Sequence, residues 1–256
     1  MNILLLGGTS DARKLVQALD QSGLLASHRL IYSVAGLVRI PELPCEVISG
    51  GFSKRGGLTA YLDAGQIDLL LDVTHPFACQ MSTTALTSAR ARGIPCWRFH
   101  REPWQAGEGD RWRLFSDWQA LLRATRDYRS ILLTAGQLTQ ADIDWLAAQA
   151  QSNAQQQVLR TAAPPQAELH SAMQWLKAIG PFRLEQERAL LQQYKTDLLI
   201  SKNSGGAATQ AKLSAARELG IEVFMLERPE LPPADRLFHT IERCAAAVAA
   251  YCHNTD

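Results

Sequence analysis

Short apolar runs, each ending near a glycine, alternate with amphipathic stretches along most of this chain. The first run occupies residues 3–6 and stops at Gly7, and the amphipathic stretch that follows it extends to about residue 21. An uninterrupted apolar run of this length is typical of a strand buried on both faces of a parallel sheet. Repeated alternation of strand and helix therefore predicts an α/β protein with doubly wound parallel sheets.

The alternation pauses between residues 98 and 113 and restarts at the apolar run 130–134, which is closed by Gly136. We therefore predict two domains of similar architecture, residues 1–126 and 127–256. Strands are predicted at residues 3–6, 30–34, 46–48, 68–73, 94–98, 130–134, 158–160, 197–200 and 223–226. Helices are predicted at residues 9–21, 58–64, 77–92, 116–125, 139–150, 184–194, 207–219 and 237–252.

The composition is that of an ordinary globular protein, with 46% hydrophobic residues and a net charge of +1. No apolar run approaches the ~20 residues of a membrane span, and the N-terminus lacks the features of a signal peptide. We therefore expect a cytoplasmic protein. The near-neutral charge argues against a general nucleic-acid binder. The five cysteines are scattered and the histidines show no metal spacing, so neither disulfides nor a metal site is expected.

The turn after the first predicted strand reads Gly7-Gly8-Thr9-Ser10-Asp11. Glycines let the backbone approach a phosphate, and the N-terminus of the following helix offers amides and the positive end of a dipole. This pattern indicates nucleotide binding. One glycine of the full Gly-x-Gly-x-x-Gly pattern is missing, so a plain turn capped by Thr9 or Ser10 is the alternative.

The second predicted strand ends near Ser33, and the chain continues through Gly36 to Arg39 without an acidic residue. In dinucleotide-binding folds, an acid at this place holds the ribose 2′-hydroxyl of NADH, whereas Ser or Arg suits the 2′-phosphate of NADPH. We therefore expect NADPH rather than NADH, with an ordinary surface loop as the alternative.

Thr74 and His75 follow another buried strand, at the carboxyl end where open α/β sheets bind ligands. They are expected to border a nicotinamide ring, and His75 can donate a proton. In the alternative, Asp72 and Thr74 cap the next helix and His75 is packed or lies at the surface.

The segment 201–209 reads Ser-Lys-Asn-Ser-Gly-Gly-Ala-Ala-Thr, follows a buried strand and opens a helix. Its lysine, asparagine, hydroxyls and glycine amides converge on a spot the size of an anion. The lysine precedes the glycines, which argues against a nucleotide triphosphatase loop. A capped helix start is the alternative. On the helix itself, Lys212 and Arg217 are expected to be surface charges.

Tryptophans and arginines cluster between residues 97 and 112, and 20 of the 26 basic residues of the chain are arginines. Flat apolar rings beside planar cations suit a large planar polyacid. Single-stranded nucleic acid and a Trp-rich domain interface are the alternatives.

In this order, the motifs resemble those of the precorrin-6A reductase family of cobalamin biosynthesis. The resemblance extends over nearly the whole chain, and its most specific part begins at the segment 201–209. The matching segments are 7–13, 35–36, 50–52, 72–78, 101–104, 133–136, 201–209, 212–213, 215–220 and 228–229. The chain departs from the family pattern at Leu37, where an arginine usually follows the glycine, so Arg39 is the expected substitute.

The resemblance implies a nicotinamide-dependent reductase with two Rossmann-like domains and the active site in the cleft between them. Its expected cofactor is NADPH, with NADH as the alternative. The implied cofactor-binding residues are Gly7, Gly8, Thr9, Ser10, Asp11, Ser33, Gly36, Arg39, Thr74 and His75. The implied residues for the tetrapyrrole precorrin-6A are Arg13, Arg101, Trp104, Arg160, Lys202, Ser204, Gly205, Gly206 and Thr209.

Three other functions fit the same motifs: a cobalt-precorrin-6A reductase that uses NADH, a reductase of another large polyacid, and a non-catalytic dinucleotide-binding sensor. No metal, nucleic-acid partner or membrane is expected. Transient contact with neighbouring enzymes of the pathway is expected.

Overall fold

The computed structural model describes residues 1–35 and 40–254 and divides the chain into two compact units. The first unit comprises Met1–Glu102 with Pro229–Asp256, and the second comprises Pro103–Arg228. Among the described residues, the strands are β1 (Asn2–Leu6), β2 (Arg29–Val34), β3 (Glu46–Ser49), β4 (Leu69–Asp72), β5 (Cys96–Phe99), β6 (Trp112–Phe115), β7 (Ser130–Thr134), β8 (Gln156–Thr161), β9 (Met173–Lys177), β10 (Leu198–Lys202), β11 (Glu222–Leu226) and β12 (Arg236–Phe238). The α-helices are α1 (Ser10–Gln21), α2 (Leu58–Ala64), α3 (Cys79–Arg92), α4 (Trp118–Ala124), α5 (Gln140–Asn153), α6 (Leu184–Gln193), α7 (Ala211–Glu218) and α8 (Ile241–His253).

The first unit is built on a six-stranded sheet in the order β12-β5-β4-β1-β2-β3, and its paired strands are parallel. The chain leaves β1 toward β2 and β3 on one side, and β4 and β5 follow on the other side. The strand order therefore reverses between β1 and β4. In open parallel sheets, such a reversal opens a crevice at the carboxyl ends of the two strands, where ligands bind.

The second unit repeats this architecture in the order β6-β11-β10-β7-β8-β9, again with parallel pairs. Its reversal lies between β7 and β10. Each unit therefore has one such edge, and the prediction of two Rossmann-like parallel sheets is confirmed.

The apolar runs are strands covered on both faces, as their composition indicated. Along β1, Ile3 and Leu5 pack into one cluster with residues of α1 and α8. Leu4 and Leu6 pack into a second cluster with residues of α2 and α3. This alternation follows from the two-residue period of a strand, and it explains why β1 has no polar face.

The division of the chain differs from the predicted boundary after residue 126. Strand β6 pairs with β11 of the second sheet, and β12 pairs with β5 of the first. Residues 103–126 therefore belong to the second unit and residues 229–256 return to the first. These two edge strands are only four and three residues long. Their pairing partners are remote in sequence, so local patterning carries little information about them.

Candidate active site

At the reversal point of the first sheet, the turn between β1 and α1 packs tightly on Tyr32. A Cβ atom at Gly7 would lie 2.2–2.5 Å from atoms of the Tyr32 ring and hydroxyl. The amide of Gly8 donates a hydrogen bond to the Tyr32 hydroxyl at 2.8 Å. Burial raises the pKa of Tyr32, while the nearby Arg13 acts in the opposite direction. Gly7 is therefore required by a close approach to the neighbouring strand, a contact that the sequence motif alone did not reveal.

Gly8 adopts a φ of +102°, and no described atom lies within 4 Å of a Cβ placed on it. This conformation favours glycine, and it leaves bare backbone at the carboxyl edge of the sheet. Gly8 is also exposed. The turn therefore gives a ligand direct access to the main chain where α1 begins.

Thr9 and Asp11 have partners within the turn. The Thr9 hydroxyl accepts from the Ala12 amide at 3.0 Å and donates to the Val73 carbonyl at 3.0 Å, so it caps α1 and joins the turns after β1 and β4. The carboxylate of Asp11 forms an ion pair with Arg101. The predicted cofactor residue Asp11 and the predicted substrate residue Arg101 thus meet in one place. Ser10 is the first residue of α1, whose opening turn leaves amides without intrahelical partners.

Behind this edge lies a buried network centred on Asp72. Its carboxylate accepts from the Thr74 hydroxyl at 2.7 Å and from Nε of Arg98 at 3.0 Å. Arg98 also donates to the Pro232 carbonyl at 2.8 Å. Asp72 is fully buried, so the arginine compensates a charge that water does not reach. The alternative in which Asp72 and Thr74 cap α3 is wrong, because α3 begins after Ala78 without a side-chain cap.

His75 is exposed beyond this network, and its Nδ1 accepts from the Phe77 amide at 3.3 Å. A narrow crevice, with no room for a water molecule inside it, lies beside this residue. The crevice is lined by Thr9, Asp11, Val73, Thr74, Pro76, Phe99, His100 and Arg101. Three of the predicted cofactor residues therefore share one crevice.

The remaining predicted residues of the first unit are less informative. Ser33 is buried at the end of β2, and its carbonyl accepts from the Gly7 amide at 2.8 Å. Arg13 is exposed on the first turns of α1, close to Tyr32. Gly36 and Arg39 lie outside the described residues, so their expected contact with a 2′-phosphate stays a prediction.

At the reversal point of the second sheet, the loop after β10 is fixed by its neighbours. The Asn203 side chain accepts from the Trp104 amide at 2.8 Å and donates to the Trp104 carbonyl at 3.0 Å. Arg228 donates to the carbonyls of Asn203 and Ser204 at 2.9 and 3.0 Å. The loop conformation is therefore set by two residues far away in sequence. Asn203 is one of the polar groups that the sequence predicted for this loop, whereas Arg228 was not among the predicted site residues, although it lies in a segment of the resemblance.

Lys202 and Gly136 meet across this edge, since a Cβ at Gly136 would lie 3.8 Å from Nζ of Lys202. Gly205 and Gly206 both have positive φ, and Ser204 is buried. Thr209 ends a short 3-10 turn that precedes α7. The loop thus gathers the predicted substrate residues of the segment 202–209 at the carboxyl ends of β7 and β10.

Lys212 is not a surface charge, and that expectation is wrong. It is 5% exposed, and its Nζ donates to the Thr134 hydroxyl at 2.8 Å and lies 5.9 Å from the centroid of the Trp104 ring. Burial, aided by Arg160, lowers the pKa of Lys212 to about 7, against an opposing effect of Glu187. The cause is helical spacing, because Lys212 lies on the same face of α7 as the buried Ala215 and Ala216.

Arg217, on the other hand, is a surface residue as predicted, with 43% of its side chain exposed and a salt bridge to Asp110 at 2.8 Å. The predicted substrate residue Arg160 has a different position. It is buried, pairs with Glu187 at 2.6 Å and stacks over the Phe182 ring at 4.5 Å. Its charge is compensated inside the second unit.

The described residues lack two features, a metal-binding cluster and a membrane-spanning helix. Residues 1–35 and 40–254 contain no group of three or more His, Cys, Asp or Glu side chains arranged to hold a metal ion. None of the helices in that part of the chain is both long and apolar enough to cross a membrane. All five cysteines are free thiols.

Comparison with known proteins gives a consistent result. A family model described as "Precorrin-6x reductase CbiJ/CobK" matches residues 2–249. A precorrin-6A reductase of Rhodococcus erythropolis is 39% identical over 250 residues, which are 96% of each chain. A cobalt-precorrin-6A reductase of Priestia megaterium is 27% identical and covers 90% of this chain and 91% of its own length. The solved structure "CobK precorrin-6A reductase" superposes with a TM-score of 0.84 at 31% identity, covering 98% of this chain and 96% of that one.

Two parallel sheets, each with a glycine-containing loop where its strand order reverses, define a double Rossmann-like α/β protein. The chain belongs to the precorrin-6x reductase family.

Proposed function

We propose that this chain reduces a macrocycle double bond of precorrin-6A, giving precorrin-6B, with hydride from NADPH in cobalamin biosynthesis. Family membership supports the reaction, and the 39% identity to a precorrin-6A reductase supports the substrate. The structural observation that carries the proposal is the exposed backbone of Gly8, which has open space above it at the edge where the first sheet reverses.

The first unit fits a dinucleotide cofactor. Open space above Gly8 and the amides of the first turn of α1 suit a pyrophosphate. Arg101 offsets the charge of Asp11 at this place, so the carboxylate does not repel the anion unaided. Thr74 and His75 border the nicotinamide in this proposal, and Ser33 lies nearest the ribose. The cofactor supplies the hydride, while the protein positions the reacting groups.

NADPH is preferred to NADH because residues 33–39 contain no acid for a ribose 2′-hydroxyl. In this proposal Arg39 pairs with the 2′-phosphate, with Gly36 beside it.

The second unit supplies most of the groups proposed to hold the macrocycle. Lys202, Ser204 and Thr209 bind its carboxylate arms, together with the backbone of Gly205 and Gly206. Charge-assisted hydrogen bonds of this kind contribute about 1.5–3 kcal/mol each. Trp104 offers a flat apolar ring to the macrocycle. Arg13 and Arg101 are the proposed contacts in the first unit, while Arg160 acts from behind the site through its ion pair with Glu187.

The second candidate is a cobalt-precorrin-6A reductase that uses NADH. Its support is the match to relatives of that kind, and the lower identity of 27% places it second. A non-catalytic sensor would bind NADPH tightly but would not transfer its hydride to any acceptor.

The test is an anaerobic mixture of the protein, NADPH and precorrin-6A, followed by absorbance of the nicotinamide and of the macrocycle. We expect both signals to fall with equal stoichiometry, and more slowly with NADH or with the cobalt-containing substrate. Binding of the macrocycle with no change in either signal would contradict the reaction. Faster turnover with NADH and the cobalt form would favour the second candidate.

A cytoplasmic location is also proposed, because five free thiols suit a reducing compartment. We also propose transient contact with neighbouring enzymes of the pathway. Neither nucleic acid nor a membrane takes part in it.

A further inference from the structure

Thr134 and Lys212 form a polar pair at the edge where the second sheet reverses. Thr134 is the last residue of β7 and pairs in register with Ser201 of β10. Thr134 is partly exposed, whereas its partner Lys212 is buried. Nζ of Lys212 donates to the Thr134 hydroxyl at 2.8 Å. One end of the pair thus lies at the surface of the proposed substrate site, and the other is shielded from water.

Few of the groups around Lys212 stabilise its positive charge. An ammonium group has three N–H donors, and among the described residues its hydrogen-bond acceptor is the neutral Thr134 hydroxyl. The charged groups that face it are Arg160 from β8 and Glu187 from α6, and these already form an ion pair with each other. The Trp104 ring also lies near it, with its centroid 5.9 Å from Nζ. Lys212 is therefore poised to lose a proton near neutral pH, and its lowered pKa of about 7 agrees with this geometry.

The Thr134 hydroxyl can accept one hydrogen bond and donate another at the same time. It donates its own hydrogen to the Ile200 carbonyl at 2.7 Å while it accepts from Lys212. Rotation about its C–O bond redirects that hydrogen from the buried carbonyl toward the open edge of the sheet. Lys202, which follows the register partner Ser201, belongs to the proposed macrocycle site, so the hydroxyl lies at the edge where the substrate is proposed to bind.

We propose that Lys212 supplies the proton that the macrocycle takes up during reduction, and that the Thr134 hydroxyl passes this proton on. The inference rests on the proposed reductase function. The reduced nicotinamide loses a hydride to one ring atom of the double bond and becomes oxidised. The other atom of that bond takes a proton from Thr134 Oγ1, which in turn takes one from Nζ of Lys212. Lys212 is left as a neutral amine and regains its proton from solvent after product release.

Lys212 therefore acts through Thr134 and is a positioning residue and proton source rather than a group in contact with substrate. Its protonated fraction sets the rate of the step. We expect kcat of the wild-type protein to fall as the pH rises above about 7. A purely structural lysine would impose no such dependence.

The test measures kcat for NADPH and precorrin-6A between pH 6 and 9 in the wild type and four variants. Lys212→Met and Thr134→Val each break the relay, and we expect kcat to fall by roughly 100-fold with little change in the KM for NADPH. The decline of kcat above neutral pH should disappear in Lys212→Met. Thr134→Ser keeps the hydroxyl and should retain the wild-type profile. Lys195→Met removes an exposed lysine before the start of β10 and should change nothing.

The outcomes separate the two proposals. If the wild type does not oxidise NADPH and reduce the macrocycle together, the proposed reductase function is contradicted, and so is the role of Lys212. Normal wild-type turnover, combined with variants that stay within about 3-fold of its kcat, overturns the inference alone. A slow Lys212→Met variant that keeps the decline above neutral pH also overturns it. If Lys212→Met fails to fold, the comparison of Thr134→Val with Thr134→Ser decides, because these side chains differ little in size.

Discussion

The side-chain amide of Asn203 forms a reciprocal pair of hydrogen bonds with the backbone of Trp104, 99 positions earlier in the chain. The amide accepts at 2.8 Å and donates at 3.0 Å. Only a side chain that carries both a donor and an acceptor makes this pair. Asn203 thus joins the segment that enters the second unit to the loop proposed to bind the macrocycle.

We expect Asn203→Asp to weaken substrate binding while leaving NADPH binding intact. The new carboxylate accepts from the Trp104 amide but faces the Trp104 carbonyl with no hydrogen to donate. Loss of a buried hydrogen bond with an unsatisfied partner costs about 1–3 kcal/mol. The KM for precorrin-6A should rise about tenfold, and the dissociation constant of NADPH, measured by fluorescence titration, should stay the same.

The matched control for this variant is Asn153→Asp. Asn153 also donates its amide to a backbone carbonyl, that of Arg126, at 3.1 Å, but it lies at the end of α5 before β8 begins. Its substitution should leave both constants unchanged. An equal rise in the KM in both variants would show that the effect is a general consequence of the added charge.

Gly7→Ala should destabilise the protein and impair cofactor binding. The added methyl group would lie 2.2 Å from the nearest atom of the Tyr32 ring, which is itself fully buried. The ring must shift, and its hydrogen bond to the Gly8 amide would be disturbed. Overpacking of this kind typically costs 1–3 kcal/mol. Urea unfolding gives the loss in stability, and the dissociation constant of NADPH gives the effect on the turn.

Gly51→Ala is the control for the added methyl group. A Cβ at Gly51 would meet its nearest described neighbour, Ser53, at an ordinary 3.6 Å, and Gly51 has an extended backbone conformation. We expect its free energy of unfolding to stay within about 0.5 kcal/mol of the wild type. A similar loss in both variants would mean that glycine flexibility, rather than contact with Tyr32, explains the result.

The long apolar strands and the motifs that follow them were predictable from the sequence. Strands β1, β4, β7 and β10 are buried along most of their length, so their composition is distinctive. Strands β6, β9 and β12 were missed. They are edge strands with mixed exposure, and the sequence near β12 instead favoured a helix from residue 237.

The partners within each site were not predictable, because they are joined across long stretches of chain. The bonds from Asp72 to Arg98 and from Asn203 to Trp104 depend on the tertiary fold. The burial of Lys212 is different. Its spacing from Ala215 and Ala216 was a usable signal, but its charge outweighed that signal in the prediction.

Arg98→Met should be among the most destabilising single substitutions in the first unit. It leaves the carboxylate of Asp72 buried without its cation, although the hydrogen bonds from Thr74 remain. Removal of one partner of a buried ion pair costs about 3–5 kcal/mol. Chemical denaturation should show this loss.

Arg29→Met provides the comparison. Arg29 pairs with Glu46 at 2.7 Å, but their side chains are 50% and 44% exposed. An exposed pair contributes less than about 1 kcal/mol. Equal losses in the two variants would contradict the assignment of a compensating role to Arg98.

Lys212→Met should stabilise the protein at low pH and progressively less as the pH rises. The pKa of Lys212 is lowered from 10.5 to about 7 in the folded state, so the unfolded chain binds more protons between these two values. Wild-type stability therefore rises with pH across that window, relative to the variant. Below pH 7 both states are protonated, and the full cost of burying the charge is present.

The measurement is the difference in unfolding free energy between Lys212→Met and wild type at several pH values, which cancels groups common to both. That difference should be constant below pH 7 and then decline by up to about 1.4 kcal/mol per pH unit. Lys195→Met, at an exposed site, should give a flat line. A flat line for Lys212→Met as well would mean that Lys212 keeps an ordinary pKa, and that burial does not set its protonation.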